Sequence, residues 1–216
     1  MNNRSTKLDL NTMLIHLAEE PMSWGGSVNP PIHRASTILS PNLETYQNSK
    51  QYGRRGTLIT RCVEEAAALL EGGEKAVSYP SGLSAIAGAL TSFLCGGDHL
   101  LIPDNIYSPT RRFANKVLTR FNIETEYFDP AIGSDIYKLF RSNTKVIFFE
   151  SPGSQTFEVL DTPGICAVAR KNNIITIMDN TWSAGLYFKP FHHGVDVVVQ
   201  SATKYFNGHA DAMLGF

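Results

Sequence analysis

The chain has 216 residues, of which 43% are hydrophobic and 18% charged, and its formal net charge is −1. This length is enough for one large α/β domain with an appendage. The near-neutral charge argues against a nucleic acid or an anionic membrane as a partner. No apolar run approaches the roughly 20 residues that a membrane-spanning helix needs.

The N-terminus and the cysteines bear on the compartment. The first residues, "MNNRSTKLDLNT", are polar and lack the apolar segment of a secretory signal. Cys62, Cys95 and Cys166 are odd in number and far apart, and each lies among apolar residues, which favours reduced core cysteines. The six histidines form no pattern of metal ligands. We therefore expect a cytoplasmic protein without a metal site.

Residues 1–56 differ from the rest of the chain. The stretch "WGGSVNPPIHRASTILSPN" is rich in Gly, Pro and Ser and has no sustained periodicity. We interpret residues 1–56 as an arm that packs on a neighbouring subunit, since such a segment buries little surface by itself. Residues 57–216 are then the α/β domain.

From residue 57 onward, helical and strand patterns alternate. The predicted helices are "TLITRCVEEAAALLEGG", "LSAIAGALTSFL", "SPTRRFANKVLTRF", "SDIYKLFR" and "TPGICAVARKNN". The predicted strands are "KAVSY", "DHLLIPD", "IETEYFD", "KVIFFE", "IITIMD" and "VDVVVQ". Because most of these strands are unbroken apolar runs, they predict a mostly parallel sheet flanked by helices on both faces.

Polar residues follow the predicted strands, at the sheet edge where open α/β sheets bind ligands. A helix N-terminus at Gly82 can bind an anion, an aromatic ring can stack on a flat ligand, and a carboxylate ending an apolar strand needs a cationic partner. A lysine at such an edge either pairs with a carboxylate or takes part in chemistry. Each residue also has an ordinary structural role, such as a turn, a helix cap or a core ring. The candidates are Gly82, Leu83, Tyr107, Asp179, Ser201, Thr203 and Lys204.

One ligand accounts for the whole set. Pyridoxal phosphate has a phosphate, a flat ring, a ring nitrogen that must stay protonated and an aldehyde. It therefore needs a helix N-terminus, a stacking aromatic side chain, a carboxylate and a lysine.

Five motifs resemble the Cys/Met-metabolism family of pyridoxal-phosphate enzymes and occur in that family's order. They are "YGRRGT", "LEGG", "FFESPG", "IMDNTW" and "SATKYFNGHADAMLG", and the resemblance runs from about residue 23 to the last residue. It implies a fold type I, aminotransferase-like domain. Members of this family are nearly twice as long, so we expect the C-terminal domain, with its arginine for the substrate carboxylate, to be absent from this chain.

The resemblance also implies roles for individual residues. Lys204 would bind the cofactor covalently, Asp179 would hold the ring nitrogen, and Tyr107 would stack on the ring. The backbone N–H groups of Gly82 and Leu83, with Ser201 and Thr203, would hold the phosphate. Tyr52 and Arg54 would reach the phosphate of a neighbouring subunit's cofactor in a homo-oligomer, a dimer of dimers. Lys204, Tyr107 and Tyr52 would be the catalytic residues.

Two motifs favour one branch of the family. Members that act at Cγ have "GNP" after the Tyr-x-Arg stretch and "SPxNP" after the strand, whereas this chain has Gly56-Thr57 and Ser151-Pro152-Gly153-Ser154. The expected function is β-elimination of L-cystathionine, an amino-acid substrate, to homocysteine, pyruvate and ammonia in methionine biosynthesis. The alternatives are a γ-synthase or γ-lyase of the same family and a truncated, non-catalytic fragment that binds pyridoxal phosphate.

Overall fold

The computed structural model describes residues 9–17, 21–49 and 52–216. The chain divides into two compact units, one formed by Met1–Leu69 with Glu74–Ala76 and the other by Leu70–Gly73 with Val77–Phe216. The proposed division at residue 56 remains a prediction.

The first unit contains short helices separated by irregular chain. Its α-helices are α1 (Leu10–His16), α2 (Leu43–Ser49) and most of α3 (Leu58–Glu71), and its 3₁₀ turns are Pro21–Trp24 and Gly53–Arg55. Between residues 25 and 42 the backbone forms neither helix nor strand. Within the described part of this unit, the buried apolar side chains are Cys62 and Ala67.

The second unit is built on a five-stranded parallel sheet. Its strands are β1 (His99–Pro103), β2 (Glu124–Phe128), β3 (Thr144–Glu150), β4 (Ile175–Asp179) and β5 (Val197–Val199), in the order β2-β1-β3-β4-β5. Its helices are α4 (Gly82–Phe93), α5 (Ser108–Lys116) and α6 (Thr162–Lys171). Its 3₁₀ segments are Leu118–Phe121, Pro130–Leu139 and Pro190–His193. The predicted parallel sheet with flanking helices is confirmed.

Apolar layers cover both faces of the sheet. Along β3, Val146 and Phe148 belong to the core beneath α4 and α5, whereas Ile147 and Phe149 belong to the core beneath α6. All four side chains are fully buried. This alternation follows from the two-residue period of a strand, and it explains why the sequence of β3 is continuously apolar.

The strand order determines where a ligand can bind. From β1 the chain first adds β2 on one side and then β3, β4 and β5 on the other. This reversal opens a crevice beyond the carboxyl ends of the strands. The segments that follow β1, β3, β4 and β5 all meet at that edge.

Three local predictions were wrong. Residues 74–78 form no strand, and the backbone pairing of the predicted strand is limited to a single antiparallel bridge between Tyr79 and Gly215. The segment predicted as the helix "SDIYKLFR" is part of the 3₁₀ segment Pro130–Leu139, where Gly133 has a φ of 53° and interrupts helical geometry. Cys95 is exposed because it lies in the turn after α4, whereas Cys62 and Cys166 are buried.

Among the residues that the structure describes, we find no helix with the length and apolar character that a bilayer crossing requires.

Candidate active site

The crevice at the carboxyl ends of the strands contains a cavity of about 670 Å³. Its walls come from the start of α4, the segment after β1, the ends of β3 and β4, and the turn after β5. The structure brings together the predicted site residues of the second unit, which line this cavity: Gly82, Leu83, Tyr107, Asp179, Ser201, Thr203 and Lys204.

Helix α4 presents its N-terminus to the cavity. Ser81 caps the helix, since its Oγ accepts a hydrogen bond from the Ser84 backbone N–H (3.2 Å) and Ser84 Oγ accepts one from the Ser81 backbone N–H (2.9 Å). This reciprocal cap satisfies the Ser84 amide but leaves the first-turn amides of Gly82 and Leu83 without a partner inside the helix. A Cβ atom at Gly82 would lie 2.6 Å from Ser201 Cβ, so glycine allows α4 to begin close against the turn after β5.

Replacing Ser81 with alanine should lower the free energy of unfolding by about 1 kcal/mol, because the Ser84 amide then loses its acceptor. Chemical denaturation measures this change. Ser92→Ala is the matched control on the same helix, since the exposed Ser92 hydroxyl donates to the Gly88 carbonyl within its own helix and caps no helix N-terminus. A loss in the control as large as that of Ser81→Ala would contradict the capping role.

Lys204 extends into the cavity beside an aromatic ring. Its Nζ lies 5.6 Å from the centre of the Tyr107 ring and donates a hydrogen bond to Ser201 Oγ (3.3 Å). Lys204 forms no ion pair with a carboxylate of the described residues and is exposed. Tyr107 is 38% exposed and lines the cavity, so its side chain is accessible to a flat ligand next to the amine.

Asp179 ends β4 at the base of the cavity. Its Oδ1 accepts hydrogen bonds from the backbone N–H (3.0 Å) and the hydroxyl (2.6 Å) of Thr181, while Oδ2 receives none from the described residues. Asp179 is half-buried, and desolvation of its carboxyl group by burial raises the pKa of Asp179. Such a carboxylate suits a cationic partner, because a positive charge stabilises its ionised form.

Thr181 joins the two strand ends that carry the chemical groups. Its Oγ1 accepts a hydrogen bond from the Ser201 backbone N–H (2.8 Å) and donates one to Asp179 Oδ1. The position of Asp179 is therefore linked to that of the turn that contains Lys204. Sequence reasoning did not identify Thr181, although it follows Asp179 closely in the quoted "IMDNTW".

Glu150 is a second carboxylate that sequence reasoning missed. It ends β3, its register partner on β4 is Asp179, and it lines the cavity. Its Oε2 accepts a hydrogen bond from the Tyr107 backbone N–H (3.2 Å). Burial, reinforced by the nearby Asp179, raises the pKa of Glu150 to about 7. The available signal was a glutamate at the end of the apolar strand "VIFFE", where an unpaired charge is costly.

Trp182 belongs to an exposed aromatic cluster at the cavity. Its ring lies edge-on to Phe157, with centroids 5.5 Å apart, and 6.0 Å from the ring of Tyr205. Trp182 and Tyr205 line the cavity. They add apolar surface next to the polar groups.

Tyr52 and Arg54 belong to the first unit. Tyr52 is 44% exposed and precedes the 3₁₀ turn Gly53–Arg55, and the Arg54 guanidinium carbon lies 5.4 Å from the centre of the Tyr52 ring. Their predicted contact with a neighbouring subunit's cofactor remains a prediction.

The donor set of the cavity fits pyridoxal phosphate. The first-turn amides of α4 suit a phosphate, Asp179 suits a protonated ring nitrogen, and the exposed Tyr107 ring lies beside a primary amine. Within the described ranges, no group of three or more His, Cys, Asp and Glu residues is placed to hold a metal ion. The fold and the site together define the class as a pyridoxal-phosphate-dependent α/β protein.

Comparison with known proteins identifies the family. Residues 11–216 match the family described as Cys/Met metabolism PLP-dependent enzyme. The chain is 42% identical to the cystathionine beta-lyase of Haemophilus influenzae, an alignment that covers 97% of this chain and 56% of that protein. It is 40% identical to the cystathionine beta-lyase MetC of Escherichia coli, over 95% of this chain and 55% of that protein.

A solved structure has the same fold. The crystal structure of metB from Corynebacterium glutamicum superposes with a TM-score of 0.91 at 26% identity, covering 97% of this chain and 54% of that one. The chain thus spans about half the length of the relatives it matches.

The chain belongs to the Cys/Met-metabolism family of pyridoxal-phosphate-dependent enzymes. The predicted family, the fold type I architecture and the cofactor are confirmed.

Proposed function

We propose that this chain forms the cofactor-binding part of a carbon–sulfur lyase that cleaves L-cystathionine by β-elimination. One observation carries the proposal: the amine of Lys204, the ring of Tyr107, the carboxyl group of Asp179 and the N-terminus of α4 line a single cavity. The names of the relatives at 40% and 42% identity support the same activity.

The phosphate-binding and ring-binding roles are assigned to separate parts of the cavity. The Gly82 and Leu83 amides and the hydroxyl groups of Ser201 and Thr203 would hold the phosphate. The Asp179 carboxylate would accept a hydrogen bond from the ring nitrogen, and Thr181 would keep that carboxylate in place through its two hydrogen bonds.

When bound, pyridoxal phosphate supplies an aldehyde that condenses with amines and a ring that stabilises negative charge at the substrate Cα. Lys204 would bond to the aldehyde and, once displaced by the substrate amine, would take the proton from the substrate Cα. Tyr107 would orient the ring and, with Tyr52, assist proton movement. The reaction breaks the Cβ–S bond, and water uptake balances the release of homocysteine, pyruvate and ammonia.

A motif at the cavity supports β-elimination over the γ-reactions. Ser154, the last residue of "SPGS", lines the cavity, so this sequence difference from the γ-acting members lies where the substrate would bind. The glycine at position 153 lets the backbone pass close to the Asn105 side chain, because a Cβ atom there would lie 2.0 Å from that side chain.

The proposed protein is a cytoplasmic homo-oligomer, a dimer of dimers, in which neighbouring subunits share the site. Tyr52 and Arg54 of one subunit would bind the phosphate of the cofactor in the next. The exposure of both side chains supports this assignment. An arginine outside this chain would bind the substrate carboxylate, since no arginine of the described residues lines the cavity.

Incubation of the purified protein, including the part that carries the carboxylate-binding arginine, with pyridoxal phosphate and L-cystathionine tests the function. We expect equal amounts of pyruvate and homocysteine. Cysteine with 2-oxobutyrate would instead indicate γ-elimination. Cofactor binding without any product would indicate a non-catalytic binding fragment and overturn the lyase proposal.

A further inference from the structure

Glu71 is a buried carboxylate with no role in the proposed chemistry. It is the last residue of α3 and belongs, with its contacts, to the second unit. The residue is 6% exposed, and it does not line the cavity. A charged group in such a position requires partners, because burying an unpaired carboxylate is costly.

Two buried amides provide these partners. Glu71 Oε2 accepts a hydrogen bond from Asn180 Nδ2 (2.8 Å), and Oε1 accepts one from Gln200 Nε2 (2.5 Å). Asn180 is fully buried, and Gln200 is 3% exposed. One carboxylate therefore bridges two segments that are distant in sequence from it and from each other.

Both amides are adjacent to proposed cofactor-binding residues. Asn180 directly follows Asp179 at the end of β4, and Gln200 directly precedes Ser201 after β5. The turn that begins at Ser201 continues to Lys204, whose backbone N–H donates to the Ser201 carbonyl (3.0 Å). The bridge thus connects the backbone that positions the ring-nitrogen acceptor to the backbone that positions the amine.

Other charged groups near Glu71 do not replace this bridge. Lys189 donates to the Leu70 carbonyl rather than to the Glu71 carboxylate, and both Lys189 and Asp179 act on Glu71 only through space. Burial raises the pKa of Glu71, and the hydrogen bonds from Asn180 and Gln200 oppose that rise. The two amides are therefore the specific contacts of the carboxylate.

We propose that Glu71 is a positioning residue for the cofactor site, which holds the ends of β4 and β5 in the spacing that pyridoxal phosphate requires by bridging Asn180 and Gln200. This inference rests on the proposed function. It assigns to the "LEGG" segment a role in cofactor affinity that does not involve contact with the cofactor.

The direct test compares the affinity of wild-type and Glu71→Ala apoprotein for pyridoxal phosphate by equilibrium dialysis. Alanine removes the carboxylate that the Gln200 amide and the Asn180 amide share, so Asn180 Nδ2 keeps only its bond to the Phe188 carbonyl (3.3 Å). The two strand ends lose their side-chain bridge. We expect the dissociation constant to rise by about tenfold or more, as the loss of hydrogen bonds to a buried charged group implies.

Thr176→Val is the matched control. The Thr176 hydroxyl donates to Asp196 Oδ2 (2.8 Å) and accepts from the Asp196 backbone N–H (3.1 Å), so it joins the same two strands at the end away from the cavity. This nearly isosteric change should lower the melting temperature, yet leave the dissociation constant for pyridoxal phosphate within about twofold of wild type. If Glu71 only stabilised the fold, both variants would have a lower melting temperature and a nearly unchanged dissociation constant for pyridoxal phosphate.

A double variant provides a rescue. In Glu71→Gln with Gln200→Glu, the new residue 71 can accept from Asn180 and donate to the carboxylate now at residue 200, so the bridge is restored with its charge moved. We expect this pair to bind pyridoxal phosphate more tightly than Glu71→Ala and close to wild type. Should Glu71→Ala fail to fold, the affinities of Glu71→Gln and of this pair for pyridoxal phosphate are compared instead. Tighter binding by the pair supports the inference, and equal affinity overturns it.

Two results would overturn the inference: affinity in Glu71→Ala within about twofold of wild type, or an equal loss of affinity in Thr176→Val. Failure of the wild-type protein to bind pyridoxal phosphate would instead refute the proposed function, so the two failures are distinguishable.

Discussion

Replacing Lys204 with alanine should abolish covalent capture of pyridoxal phosphate. In the structure, Lys204 is the amine that lines the cavity beside the Tyr107 ring. After incubation with the cofactor and reduction with borohydride, wild-type protein should carry one pyridoxyl group at residue 204, measured by intact mass and peptide mapping. The variant should carry none and should have no lyase activity.

Controls separate loss of chemistry from loss of fold. Lys171→Ala removes an exposed lysine at the end of α6 and should leave the adduct unchanged. Lys204→Arg keeps the positive charge near Tyr107 but cannot form the stable adduct, so it should resemble wild type in melting temperature and the alanine variant in mass. An adduct of full stoichiometry in either Lys204 variant would refute the assignment.

Replacing Glu150 with glutamine should make the protein more stable at pH 8 but not at pH 5. The pKa of Glu150 rises from 4.5 to about 7 on burial in the folded protein. Between these values the folded protein binds a proton that the unfolded chain has lost, so the stability contributed by Glu150 falls as pH rises through this window. Glutamine avoids that loss and can still accept the hydrogen bond from the Tyr107 amide.

We expect the stability advantage of Glu150→Gln to be on the order of 3 kcal/mol above pH 8 and near zero below pH 5. Urea denaturation of the apoprotein at several pH values measures it. Glu65→Gln, at an exposed position on α3, should change stability by less than about 0.5 kcal/mol at each pH. A difference between Glu150→Gln and wild type that stays constant with pH would contradict the prediction.

Two features of this site explain why the pKa values of Glu150 and Asp179 are higher than those of exposed carboxyl groups. They end neighbouring parallel strands in register, so their side chains leave the sheet at the same edge. Burial raises the pKa of both carboxyl groups, and repulsion from Asp179 adds to the rise at Glu150. A cationic ring nitrogen next to Asp179 would therefore stabilise the charge of this pair.

Much of the fold was predictable because its determinants are local. Strands such as β3 and β4 are continuous apolar runs, and α6 begins near the predicted Thr162-Pro163, although its N-cap is Asp161 rather than Thr162. The strand prediction for "KAVSY" was wrong because a segment with strand-like composition forms a strand only where a neighbouring strand provides hydrogen bonds. In the structure only Tyr79 finds such a partner, Gly215.

The sequence alone determined the family, the cofactor class and the residue types that end each strand. A parallel sheet places the residues at the ends of its strands at one edge, so the five candidates at the ends of β1, β4 and β5 could be assigned to one site without coordinates. Motif spacing carried this information because it reflects short-range geometry, such as the turn from a strand into a helix.

Only the tertiary structure revealed the carboxylates that act through other residues. Glu71 bonds to Asn180 and Gln200 across 109 and 129 positions of sequence, and Glu150 owes its raised pKa to burial beside Asp179. A buried charge is stabilised or penalised by the groups that folding places around it. Because those groups come from distant parts of the chain, no local pattern indicates which carboxylate holds the strand ends and which one keeps its proton near neutral pH.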